Sequence, residues 1–465
     1  MLFNSFVFLC FFAVFFAIYW SMPRKALYWQ NAVLLLASYV FYGWWDWRYL
    51  SLISIASLTS YLGAKWIEDK PSYKKPILLV VLGVHLSMLA YFKYAGFFVS
   101  SLLLALNKIG FNVDVIYLQI ALPVGISFFT FQSLSYAIDV YRQKLTASRS
   151  WIEYFSFVSF FPQLVAGPIE RAGNLLPQIQ KQRVFNFENA GRGLQLILWG
   201  LIKKMMVADA CAPVVDSVFS NYETASLVDL WWGVFLFGVQ IYCDFSAYSE
   251  MAMGLALLLG FQLMQNFNYP YFATNIQSFW KRWHISLTTW FKDYIFLPLG
   301  GSRVGKGRLL FNIFIVFLIS GLWHGANFTF LAWGFYHAVL YGIYVVWVAK
   351  WQIRIPGFFA WFFTFICVLI GWVFFRAADI GQAGTFMEGM FSPQRGFTIH
   401  YVDAKLLMSL AILVIFEWVH RHRNFGLDLK PGIAQPVRWS LYLMLLTLWL
   451  VYANFDEQAF IYFDF

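Results

Sequence analysis

Apolar runs of membrane-crossing length dominate this chain and leave it little choice but helices packed in a bilayer. They centre on residues 2–20, 27–45, 49–66, 76–92, 94–106, 118–138, 151–167, 193–209, 228–260, 308–324, 327–349, 357–375, 404–419 and 437–454. Crossing the hydrocarbon core takes roughly 20 mostly apolar residues. Composition agrees, with 61% hydrophobic and 12% charged residues and a mean hydropathy of +0.63, far from soluble usage. The expected fold class is all-α: a polytopic integral membrane protein with about ten to twelve transmembrane helices, the remaining runs being re-entrant or interfacial. No long linker, low-complexity tract or clear repeat interrupts residues 1–465, which read as a single integral domain. The first run has no positive residue before it and no small-residue cleavage site after it, so it is read as a retained helix.

The net charge of +10 is spread over short loops. No basic stripe or recognised nucleic-acid module appears, so no nucleic-acid partner is expected. Positive-inside sorting accounts for Arg24 and Lys25 after the first run and for Lys65, Lys70, Lys74 and Lys75 around the next loop but one. Both loops are then cytoplasmic and the N-terminus lies outside. Cys10, Cys211, Cys243 and Cys367 form no Cys-x-x-Cys pair, so neither a disulfide framework nor a metal site is expected.

An ionisable residue at bilayer depth costs a few kcal/mol and marks a cavity or chemistry. His324 is such a residue, in Ser320-Gly321-Leu322-Trp323-His324-Gly325-Ala326-Asn327 between two apolar runs. Three polar stretches broken by Gly or Pro, 161–183, 261–306 and 377–402, interrupt the helical pattern and suit the walls or mouth of a cavity. Within the second, Ile276, Trp280, Trp283, Leu287, Trp290 and Tyr294 step by four and three, opposite a polar face of Gln277, Lys281, His284, Thr288 and Lys292. That spacing predicts one amphipathic interfacial helix over 276–294, with His284 either facing head groups or serving a site. Asp244 and Glu250 fall inside the 228–260 run and need partners; Tyr248, at i+4, could be one for Asp244. Polar packing and orientation of a catalytic histidine are both open for Asp244. His337, thirteen residues beyond His324, reads first as a packing residue.

No P-loop appears, since the Gly/basic stretch 300–307 follows no strand, and no Gly-x-Ser-x-Gly elbow is present. An ATP-driven pump and a serine hydrolase therefore lack support.

Eight stretches carry a specific resemblance: 122–131, 139–142, 166–168, 200–204, 244–249, 266–271, Phe279-Trp280-Lys281-Arg282-Trp283-His284-Ile285-Ser286-Leu287 and Leu322-Trp323-His324-Gly325-Ala326-Asn327. Through them the whole chain resembles the membrane-bound O-acyltransferase family, in its bacterial alginate O-acetyltransferase-like branch. The resemblance implies a helical ring around a thinned membrane centre, with a tunnel where a cytoplasmic acyl donor meets an acceptor from the other side. It implies that His324 and His284 are the catalytic pair, with Asp244, Trp323, Asn327, Trp280 and Arg282 along the tunnel or just behind it. The implied donor is acetyl-CoA, with no tightly bound cofactor and no metal. The implied acceptor is a cell-surface polysaccharide, reached directly or through an extracytoplasmic serine-hydrolase-like transferase, and the implied location is the bacterial inner membrane. Peptidoglycan and teichoic acid are the alternative acceptors, and a transporter or an export scaffold the alternative without chemistry.

Imidazole suits this chemistry on its own account, because its ordinary pKa near 6.5 lets it take a hydroxyl proton at neutral pH. The chain also ends Phe460-Ile461-Tyr462-Phe463-Asp464-Phe465. This resembles the terminal motif of a small partner in D-alanyl transfer to teichoic acids, which implies Tyr462 as an acyl acceptor; an aromatic interfacial anchor is the plainer reading.

Overall fold

The computed structural model describes residues 1–465 except 24, 115, 117, 119, 166, 349–354, 424, 430, 431, 456, 457, 459 and 462–465. It is all-helical, with no strand among the described residues, and its contacts gather into two compact units. The first comprises Met1–Asn189 and Ala256–Met264; the second comprises Ala190–Leu255 and Gln265–Phe465.

Among the described residues, six helices are long and apolar enough to cross a membrane by length and composition: Trp47–Asp69, Pro71–Lys108, Leu227–Leu258, Lys306–His324, Phe328–Val346 and Gly357–Arg376. Several apolar runs form shorter helices, including Phe6–Ser21, Leu27–Gly43, Ile126–Tyr141 and Ala404–His420. At 1.5 Å per residue, 16 or 17 residues reach only roughly 24–26 Å, short of a full hydrocarbon core. The protein is a multi-pass membrane protein nonetheless, and short helices suit a locally thin bilayer.

In the first unit, α1 (Phe6–Ser21) starts at the Ser5 cap, whose hydroxyl accepts from the Phe8 N–H. It is followed by α2 (Leu27–Gly43). Tyr19 and Trp20, near the end of α1, donate to the carbonyls of Leu259 and Leu258.

The long helix α3 (Leu227–Leu258) lies in the second unit through Leu255. A π-helical turn, Ile202–Ala208, places Lys203 and Lys204 against it. Lys203 pairs with Glu250 at 2.8 Å and donates to Ser246, and Lys204 bridges Asp209 at 2.9 Å and Asp244 at 3.0 Å. Tyr242 donates to Glu417 at 2.6 Å. These carboxylates are therefore held by cations or a phenol, as buried charge requires.

The site is carried by α4 (Lys306–His324) and α5 (Phe328–Ile343), which pack at backbone distance. A Cβ on Gly321 would lie 2.2 Å from the Phe330 carbonyl oxygen, and one on Gly334 would lie 2.5 Å from that of Phe317. Only glycine permits this approach, the small-residue packing that membrane helices use in place of hydrophobic burial. α6 (Gly357–Arg376) packs on α5. Asn327 caps α5 by accepting from the Thr329 N–H, which turns the chain sharply after His324.

Candidate active site

Residues 276–294 do not form the single helix expected from their periodicity. They form two short helices, Ile276–Trp280 and Ile285–Phe291, broken at His284. His284 has φ 43° and ψ 56°, the left-handed region that costs a non-glycine residue about 1–2 kcal/mol. Tyr269, across the junction, has φ 46°. The two segments face each other through Asn268 N–H to the Arg282 carbonyl (3.0 Å) and Ile285 N–H to the Asn266 carbonyl (2.8 Å). These contacts over-determine the strained turn, as expected of strain held at a working site. The consequence corrects the head-group alternative: His284 is 1% exposed and points inward. Trp280 and Trp283 are buried as well.

Asn266 organises the turn. Its Oδ1 accepts from His284 Nδ1–H (3.1 Å), Ser286 Oγ–H (2.9 Å) and the Ser286 N–H (3.3 Å), while its Nδ2 donates to Ser249 Oγ (3.2 Å). With Nδ1 as donor, the neutral ring keeps its lone pair on Nε2, which has no hydrogen-bond partner among the described residues. His284 lies outside the six long apolar helices, and burial pushes its imidazole down to about 3. The ring is therefore neutral at physiological pH, an acceptor rather than a cation.

His324 is 4% exposed at the C-terminal end of α4. Its ring sits among Trp323, Trp333 and Phe375, with centroids 5.0, 5.1 and 5.1 Å away at steep angles. Trp323 also meets His284 at 5.8 Å. Both histidines line one cavity of about 390 Å³. Trp280, Trp283, Leu287, Ile313 and Phe317 supply apolar wall, and the exposed Lys281 and Lys292 supply cationic edge. Such a cavity can hold a slender, largely apolar chain with anionic groups at its entrance and a reacting carbon between two imidazoles.

The other expected residues divide. Trp280 lines the cavity and Trp323 joins the two histidine rings. Asn327 caps α5 and donates to the Ala378 carbonyl at 2.8 Å, so its side chain supports the backbone after His324. Arg282 reaches the Tyr269 carbonyl at 3.5 Å and does not line the cavity. Asp244 also lies off the wall, held by Lys204 and accepting the Ile461 N–H at 2.8 Å. His337 packs behind the wall, 5.0 Å from Trp280 and 4.9 Å from Trp333. Tyr462 lies outside the described residues. The residue before it docks on Asp244, and Phe460 meets Phe245 at 5.8 Å, whose ring is 4.7 Å from His284.

Asn266, Ser286 and Lys204 escaped assignment from the sequence as site residues. Asn266 and His284 are eighteen residues apart across a loop with no helical or strand spacing to join them. The one available signal was that Asn266 opens 266–271, one of the stretches that carry the family resemblance.

Comparison with known proteins accords with this geometry. Residues 125–380 match the membrane-bound O-acyltransferase family. The probable alginate O-acetylase of Pseudomonas putida is 39% identical over 398 residues, covering 84% of this chain and 80% of that protein. The peptidoglycan O-acetyltransferase of Helicobacter pylori is 35% identical over 388 residues, covering 77% and 73%. The teichoic acid D-alanyltransferase of Bacillus subtilis is 28% identical over 249 residues, covering 49% and 61%. The chain belongs to the membrane-bound O-acyltransferase family, and its class of activity is acyl transfer.

Proposed function

We propose that this protein moves an acetyl group from cytoplasmic acetyl-CoA across the bacterial inner membrane, for O-acetylation of an alginate-like cell-surface polysaccharide. The observation that carries the reading is the pair His284 and His324 on the wall of one largely apolar cavity with a lysine edge. The phosphates of the donor suit Lys281 and Lys292, and its slender pantetheine arm suits the tryptophan and leucine wall. The similarity to alginate O-acetylases over most of the chain favours a polysaccharide acceptor, while the peptidoglycan enzyme keeps a second polymer in play.

In the proposed reaction His324 removes the proton of the acceptor hydroxyl as its oxygen attacks the thioester carbonyl. The tetrahedral intermediate collapses with cleavage of the C–S bond, and the imidazolium returns the proton to the departing thiolate. The new ester and free CoA thiol complete the balance. His284, neutral and held by Asn266, offers its Nε2 lone pair to orient the acceptor hydroxyl or bound donor. The dry, aromatic surroundings restrict hydrolysis of the thioester.

Tyr462 is the proposed first acceptor. Docking of Phe460 and Ile461 brings the tail beside Phe245, one ring from His284. A phenol ester leaves more readily than a sugar ester, so an acetyl-tyrosine would remain activated for an extracytoplasmic serine-hydrolase-like partner. Protein reconstituted in vesicles with labelled acetyl-CoA tests the scheme. CoA release and an acetyl adduct on Tyr462 are expected from wild type, and neither from His324→Ala. CoA release without the adduct would discard the tyrosine relay, and polymer movement without CoA release would turn the reading to transport.

A further inference from the structure

Among the described residues of the first unit, Arg183 is a buried guanidinium whose hydrogen-bond partners are all neutral. It is 5% exposed. Its Nε donates to the Tyr19 hydroxyl (2.9 Å), Nη1 to the carbonyls of Ile179 (2.9 Å) and Lys181 (3.4 Å), and Nη2 to Asn31 Oδ1 (2.7 Å). The flat face of the guanidinium lies 5.1 Å from the Phe261 ring and 5.7 Å from that of Tyr19. A guanidinium has five N–H donors, so these four bonds leave one on Nη2. Hydrogen bonds to neutral oxygens orient a buried cation without cancelling its charge, and an uncompensated buried charge is strongly destabilising. The Lys204 cation of the second unit, by contrast, has two carboxylates.

The same guanidinium lines a cavity of about 350 Å³ whose other walls include Phe16, Trp20, Met22, Phe185 and the polar Gln30. Trp20 and Phe185 stack edge to face at 5.3 Å, and Val184 and Phe187 beside them are 55% and 85% exposed. The cavity is thus cationic at its base and apolar at its rim. It sits at the C-terminal end of α1, next in sequence to Arg24 and Lys25, the end that positive-inside sorting assigns to the cytoplasmic leaflet. Acidic lipids supply a negative surface on that leaflet.

We propose that this cavity binds the phosphate of an acidic phospholipid, with Arg183 as its counter-ion and the acyl chains lying along Phe16, Trp20, Phe185 and the exposed Phe187. A phosphate oxygen would take the remaining Nη2 proton in a charge-assisted bond and cancel the buried charge. The rings outside would cover the chains. Because α1, α2, the 179–183 segment and residues 258–261 converge on the guanidinium, the lipid also ties these segments together.

Native mass spectrometry of the full chain in detergent, titrated with dihexanoyl phosphatidylglycerol, dihexanoyl phosphatidylcholine or glycerol 1-phosphate, tests this without reference to acyl transfer. Phosphatidylglycerol is expected to bind at least about tenfold more tightly than either of the others: the choline cation of phosphatidylcholine cancels the net charge that Arg183 would neutralise, and glycerol 1-phosphate lacks the acyl chains. Arg183→Gln should erase the preference for phosphatidylglycerol over phosphatidylcholine, and Arg183→Lys should keep part of it. Phe16→Ala, which leaves the Arg183 bonds in place, should bring phosphatidylglycerol down toward glycerol 1-phosphate. Equal binding of the two lipids by wild type overturns the proposal even if the Arg183→Gln protein fails to fold. So does an unchanged preference in Arg183→Gln. Tightest binding of glycerol 1-phosphate would overturn the lipid as occupant and leave a soluble phosphate ester in its place.

Discussion

His284 sits where a helix is broken and His324 where one ends, and the two places hold an imidazole by different forces. At the break, a left-handed residue is fixed by directional bonds: one amide oxygen takes three donors and sets which ring nitrogen carries the proton. At the helix end, three aromatic rings enclose the imidazole, and glycine contacts hold α4 against α5. Directional bonds specify a tautomer, whereas aromatic rings fix the position of an imidazole and exclude water from it. The difference suits a neutral positioning group opposite a proton carrier.

Four measurements test that contrast. Removing the proton carrier should cost most: His324→Ala lowers acetyl transfer roughly 10²–10⁴-fold with no change in the fold, as read by CoA release and thermal unfolding. If His284→Ala proves the more damaging, the roles are reversed. Next comes Asn266→Ala, which strips the acceptor from His284 and Ser286 at once. It should lower kcat about tenfold or more, since unpaired buried donors cost about 1–3 kcal/mol, and leave the KM for acetyl-CoA near wild type. A rise in KM alone would make Asn266 a mere scaffold for the cavity edge.

The third prediction concerns pH. In the folded protein burial depresses the His284 pKa to about 3, while the unfolded chain has the ordinary value near 6.5. Between those values the unfolded state binds a proton that the folded state refuses, so stability is lost as pH falls from about 6.5 toward 3. His284→Asn keeps a residue that tolerates left-handed backbone and removes the titration. Unfolding midpoints of wild type and His284→Asn, measured from pH 7 to 4, should differ with a pH-dependent gap, wild type losing more; a constant gap would mean the imidazole is already solvated.

The smallest effect belongs to Asn327→Ala. Loss of an N-cap costs about 1 kcal/mol of stability. Acetyl transfer per folded molecule should stay within about twofold, because the side chain caps α5 and faces the Ala378 carbonyl rather than the cavity. A large drop in kcat would return Asn327 to the site.

Much of the molecule was legible from residue order. Long apolar runs announced helices because a bilayer offers no water to unpaired backbone, and His324 stood out because charge at that depth is costly. The 276–294 segment was misread for a physical reason. Its apolar residues keep helical spacing on both sides of His284, so periodicity runs through a break made by contacts with 266–269. Asp244 was recognised as needing a partner, but Lys204 lies forty residues away, in a π-helical turn with no distinct signature.

Residue order alone carried the bilayer setting, the all-helical class and the costly histidines. Those follow from composition and local spacing, which act within a few residues. Tertiary contacts alone turn His284 inward, let Asn266 set its proton, bring both imidazoles to one cavity and leave Arg183 buried with no carboxylate partner among the described residues. Each depends on groups distant in sequence meeting at hydrogen-bond or van der Waals range, and no local pattern encodes that meeting.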